Sequence, residues 1–68
     1  MITLADARRI IAAAEKKAEE IGQPMNIAVV DAGGIPLKQE GKDVGAIGVS
    51  GGSGAQDHAV AEAGAAAL

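Results

Sequence analysis

The chain has 68 residues, 49% of them hydrophobic, with no Phe, Tyr, Trp or Cys and a net charge of −3. That length allows one domain, and the missing cysteines exclude disulfides and thiolate metal sites, while a single histidine cannot build a zinc site alone. The acidic balance argues against nucleic acid, and no apolar run approaches the span of a bilayer.

The first element is a helix over Leu4–Ile21. Thr3 is a suitable N-cap, and Asp6 stands where a capping box places an acid. Leu4, Ala7, Ile11, Ala14, Ala18 and Ile21 recur at three- and four-residue intervals, predicting one buried stripe that Ile10 widens. Arg8, Arg9, Glu15, Lys16, Lys17, Glu19 and Glu20 form the solvated side, with Lys16 and Glu20 spaced for an i,i+4 pair. Gly22 supplies a left-handed C-cap, and Pro24 keeps the helix from resuming.

Met25–Asp31 reads as a strand rich in β-branched residues with little alternation, as expected of a central strand covered on both faces. Asp31 and the following Ala-Gly-Gly predict a turn in which the carboxylate accepts from following N–H groups; a catalytic carboxylate is the other reading. Ile35–Gln39 and Lys42–Ser50 form a hairpin that reverses at Glu40-Gly41. Glycine and alanine in the returning strand leave room for a helix to approach.

After that strand comes Ser50-Gly-Gly-Ser-Gly54 and then a helix over Gly54–Leu68, with Ala55, Ala59, Val60, Ala63 and Ala67 on its apolar side. Ser53 caps this helix, with Gln56 placed to reach back to it. Glycines at a helix start let backbone N–H groups converge at the positive end of the dipole, which suits an anion or another acceptor. The plainer alternative is a glycine turn that brings strand and helix close. The loop is no P-loop, because it lacks the Lys-Ser/Thr pair. Gly64 suggests close contact between the helix and the glycine-containing strand, and His58, beside Asp57, offers one imidazole to a metal or haem iron.

Two blocks resemble the GlcG/HbpS family, also found as the C-terminal domain of PduO-type cobalamin adenosyltransferases. One is Gly22-Gln-Pro-Met-Asn-Ile-Ala-Val-Val-Asp-Ala-Gly-Gly34 behind its helix. The other is Gly34-Ile-Pro-Leu37, Gly41 and Val44-Gly-Ala-Ile-Gly-Val-Ser-Gly-Gly52, with Gln56-Asp57 and the alanine-rich helix. Family members carry a further strand and helix between these blocks, and here the two Gly-Gly sites merge into Gly33-Gly34 as though a central segment were missing. The resemblance implies an α+β fold, profilin-like in outline, in abbreviated form: a small antiparallel sheet of about three strands flanked by an N-terminal and a C-terminal helix. It implies a single domain over residues 1–68 and a tendency to form higher oligomers. It also implies a small-molecule pocket for haem or a corrinoid-related ligand, with Asp31, Ser50, Gly51, Gly52, Ser53, Gly54 and Asp57 around it; the candidate haem-iron ligand, His58, comes from its place in the first turn of the last helix and not from the resemblance.

Three classes of function follow as expectations. The first is a small-ligand-binding module. The second is a ligand-free unit whose sheet edge and alanine-rich helix pair with copies of themselves, since loss of a central segment exposes sheet edge and an all-aliphatic core of this size does not by itself offset the ordering entropy of the chain. Catalysis ranks last: Asp31, Asp57 and His58 could move protons, but no positioned nucleophile and base can be recognised. With no cysteine and no signal-peptide layout at the start, a soluble, cytoplasmic homo-oligomer is expected.

Overall fold

A computed structural model describes residues 2–68. Helix α1 spans Leu4–Ile21, strands β1, β2 and β3 span Asn26–Val30, Ile35–Gln39 and Lys42–Ser50, and helix α2 spans Gly54–Ala65. The α1 cap forms as its sequence predicts: the Asp6 N–H donates to Thr3 Oγ1 at 3.0 Å, and the Thr3 N–H donates to Asp6 Oδ2 at 3.2 Å. Gly22, at φ +68°, ends the helix in the left-handed region. Glu40 and Gly41 take φ values of +53° and +78°, so the β2–β3 reversal uses the doubly left-handed backbone that suits a tight hairpin.

The strands form one antiparallel sheet in the order β1-β3-β2, which corrects the expectation that β1 is central. β3 is the longest strand: Ala46–Ser50 pairs with β1 on one side, and positions from Lys42 to Ile47 pair with β2 on the other. β1 alternates after all. Ile27 and Val29 are half-buried, whereas Asn26, Ala28 and Val30 are exposed. Its apolar run mimics a doubly covered strand because Ala28 and Val30 are apolar on the open face.

Both helices lie on one face of the sheet, α1 over β1 and α2 over β3 and β2, and they pack against each other. The fully buried large side chains are Ile10, Leu37, Ile47 and Val60, one each from α1, β2, β3 and α2. α2 comes close through its own glycine: a Cβ at Gly64 would stand 2.6 Å from Ile47 Cδ1 and 3.2 Å from Ala14 Cβ. The glycines of β3 serve the helices less than expected. Gly48 faces open space, and Gly45 makes room for the Val30 carbonyl and the Ile2 side chain.

Several side-chain expectations shift with this packing. On α1 the buried line is Ile10, Ala14 and Ala18, and Leu4 is 66% exposed, because α2 meets the helix on the Ile10–Ala14 side. On α2 the buried face is Val60, Ala61 and Gly64, with Ala55 exposed; alanine and glycine run round most of this helix and give no periodic contrast to point to a face. Regular helix ends at Ala65, and the last residues continue as turns, with the Leu68 N–H bonded to the Ala65 carbonyl at 3.2 Å. Lys17, not Lys16, approaches Glu20, at 3.9 Å. Arg9, expected to be merely solvated, pairs with Asp6 at 2.9 Å and ties the turn after α2 to α1 by donating from Nε to the Ala67 carbonyl at 2.9 Å.

The link from β1 to β2 is the tightest part of the chain. Both strands run antiparallel to β3, so they are parallel to each other with β3 between them. Residues 31–34 must therefore carry the chain across β3 near Ala46 and Ile47. Parallel strands ordinarily need a crossover of about a dozen residues or more. Gly33 and Gly34 make the short crossing with φ values of +91° and +81°. A Cβ at Gly34 would collide with the Ile47 carbonyl oxygen and lie 3.0 Å from its carbon, whereas one at Gly33 would meet nothing.

Two outcomes follow. Gly33→Ala should cost only the backbone penalty of about 1–2 kcal/mol, and Gly34→Ala clearly more, read from urea midpoints; equal losses would contradict the close crossing. The Asp6 carboxyl is held below its ordinary pKa, first by the Thr3 N–H, then by the Thr3 hydroxyl and Arg9. A lowered folded-state pKa gives stability that is present above the ordinary carboxylate range and lost as pH falls through the folded value. Asp6→Asn should accordingly be less stable than the native chain at pH 7, with the difference closing below about pH 4; a pH-independent difference would contradict the capping account.

Candidate functional site

The loop after β3 is closed upon itself and upon its neighbours. Ser53 caps α2, its Oγ accepting from the Gln56 N–H at 3.1 Å while Gln56 Oε1 accepts from the Ser53 N–H at 2.9 Å. Asp57 Oδ1 accepts from the Gly52 N–H at 3.0 Å. The amides that glycine was expected to offer to an anion at Gly52 and Ser53 thus already face a carboxylate and an amide oxygen of α2. Gly51, at φ +124°, leaves no room for a side chain: a Cβ there would lie 2.9 Å from the Pro24 carbonyl oxygen. Gln23 holds the same corner by donating from Nε2 to the Gly51 carbonyl at 2.9 Å. No sequence signal pointed to Gln23, since the bond joins residues 28 positions apart.

Behind this corner, a hollow of about 300 Å³ opens where β2 stops short of the end of β3. Ile35, Ile47, Val49 and Ala61 give it an apolar lining, and Gly54, Asp57 and His58 stand around it at the start of α2. The structure therefore gathers Gly54, Asp57 and His58, with Ser50–Ser53 forming the adjoining turn. Ile35 and Val49 were legible only as strand residues, because the stagger between β2 and β3 that exposes them is not written locally.

His58 is exposed, and its Nε2 contacts Glu62 Oε1 one helical turn on. A carboxylate on one ring nitrogen fixes an imidazole's orientation and leaves the other nitrogen for a ligand, the arrangement found behind metal-bound histidines. No cluster of three His, Cys, Asp or Glu suited to a metal ion occurs among the described residues.

Asp31 is not part of this constellation. The loop adjoins Ser50, which pairs with Asn26, and Asp31 follows the opposite end of β1, roughly 17 Å away by strand rise. No N–H among the described residues donates to its carboxylate, so the expected Asx-type turn is absent. Larger hollows lie at the α1–β1 connection, about 370 Å³, over Asn26–Ala28 and Gly48–Ser50, about 360 Å³, and at the hairpin tip, about 570 Å³. Of these, the one over β1 and the end of β3 touches a candidate residue, Ser50, and no histidine or carboxylate lines it. The hairpin-tip hollow is walled by the water-exposed Lys38, Glu40 and Lys42.

A one-sided, helix-covered antiparallel sheet with an apolar hollow beneath a capped helix defines a small α+β protein with a candidate ligand groove. The family model for haem degrading protein HbpS-like matches the chain over residues 2–35 and again over 32–66. The chain belongs to the HbpS-like family. The two matches overlap at 32–35, the Gly-Gly crossing between β1 and β2. No curated protein and no solved structure matches. No helix among the described residues is long and apolar enough to cross a membrane.

The family's description raises haem as a group to test against these residues. An apolar lining beneath an imidazole backed by a carboxylate suits a flat, largely apolar ring with a coordinating metal. The hollow is at the small end of the range for ligand sites, so it fits one edge of such a ring and does not enclose it.

Proposed function

We propose that this chain is a small-ligand-binding module that receives the edge of a haem- or corrinoid-type ring beneath the start of α2. The observation that carries the reading is His58, tied to Glu62 at the mouth of the apolar hollow. Family membership supports it. In this reading Ile35, Val49 and Ala61 contact the ring edge, and His58 meets the metal through its remaining nitrogen. Asp57 and the Ser50–Gly54 turn keep the start of α2 in place. Asp31 has no part in it. The lack of cysteine supports a reducing, cytoplasmic setting.

A second reading, a ligand-free unit that assembles with copies of itself, is favoured by the loop amides already occupied by Asp57 and Gln56. Titration with haemin separates the two. The first reading expects a saturable Soret shift that His58→Ala abolishes or weakens at least tenfold while the far-ultraviolet circular dichroism is retained. No shift, or one indifferent to His58→Ala, would contradict it and leave the assembly reading.

A further inference from the structure

We propose that β1 is the self-association edge of this protein: two copies pair antiparallel along Asn26–Val30 about a twofold axis at Ala28, joining two three-stranded sheets into one. The inference rests on the assembly reading above and names the surface through which assembly occurs.

The two edges of the sheet are built differently. β2 carries Pro36, which has no N–H to offer, and an exposed Lys38 paired with Asp43 at 3.3 Å; the register slips between Leu37 and Lys38. A proline, a lysine and a bulge are the devices by which sheets discourage strand addition. β1 has none of them. Its five residues pair with β3 in unbroken register and carry no charge, so its outward backbone groups form a regular template.

The same strand is self-complementary. A twofold at Ala28 sets Ile27 against Val29 of the second copy, both on the helix-covered face, and Asn26 against Val30 on the open face. Asp31 then falls opposite Met25, so no like charges meet. β-branched side chains pack well against their neighbours on a pleated surface. The exposed large hydrophobic side chains of the protomer, Leu4 at 66% and Val30 at 42%, line one groove beside this edge. Their position favours a second copy over a foreign strand, because α1 lies along β1 and would bring Leu4 towards the partner's apolar rim.

The test is the mass of the full chain by sedimentation equilibrium across micromolar concentrations, for the native sequence, Ala28→Lys and Ala66→Lys. Ala28 and Ala66 are both exposed in the protomer, so neither lysine disturbs the core, and the variant at Ala66, just past α2, controls for charge. The expected result is a native dimer or dimer-based oligomer, at least tenfold weaker association for Ala28→Lys, and no change for Ala66→Lys. Asn26→Lys, also exposed, replaces Ala28→Lys should the latter lose helical signal. A monomeric native chain would overturn self-association altogether. An oligomer that Ala28→Lys and Asn26→Lys leave intact would overturn this surface while sparing the assembly reading.

Discussion

The fold depends on one close contact, the seating of Ile47 against the bare backbone of Gly64. Ile47 is fully buried at the middle of the central strand, and its Cδ1 occupies the space a side chain at position 64 would need. The same glycine lets Ala14 and the Ile10 carbonyl of α1 approach α2. One residue without a side chain thus brings both helices and the sheet together. In an ordinary helix, glycine would cost about 1 kcal/mol against alanine. With no aromatic residue to span a wider gap, close approach is how four large aliphatic side chains make a continuous core.

Placing both helices on one face has consequences for function. β3 is paired on both sides, but its two partners are staggered along it, β1 against Ala46–Ser50 and β2 against the half that begins at Lys42. The stagger leaves the apolar hollow beneath α2, next to His58 and Asp57. β1 is an edge for a different reason, having β3 as its one neighbour. The hollow and the edge are both places where the chain leaves apolar surface or backbone unfinished. The crossing at residues 31–34 belongs to the same pattern. It joins two parallel strands with far less chain than such a connection ordinarily uses, at the point where the two family matches overlap.

Local chemistry made much of this legible in the sequence. The bounds of α1, β2 and β3 follow from capping residues, a left-handed Gly22 and the Glu40-Gly41 reversal, all of which act over a few residues. The Ser53–Gln56 box was readable for the same reason. What could not be read is what depends on partners distant in sequence. β1 was misplaced as central because an apolar strand on an open sheet face has the composition of a buried one. The buried line of α1, Ile10, Ala14 and Ala18, lies within the stripe its spacing predicts, whereas the face of α2 is turned, with Ala61 and Gly64 buried and Ala55 exposed, because alanine serves equally at a contact or in water. At the candidate site, Asp57 and His58 were recognisable as residues near a helix start, yet the engagement of Asp57 with Gly52 and the role of Gln23 needed the folded loop.

The seating of Ile47 on Gly64 is tested most directly by the stability of Gly64→Ala in two backgrounds, native and Ile47→Val. Urea unfolding should show Gly64→Ala destabilising where Ile47 keeps its Cδ1, and that loss should shrink by more than about 0.5 kcal/mol, or reverse, once valine removes the atom. The same effect of Gly64→Ala in both backgrounds would mean that this contact does not hold the helices to the sheet.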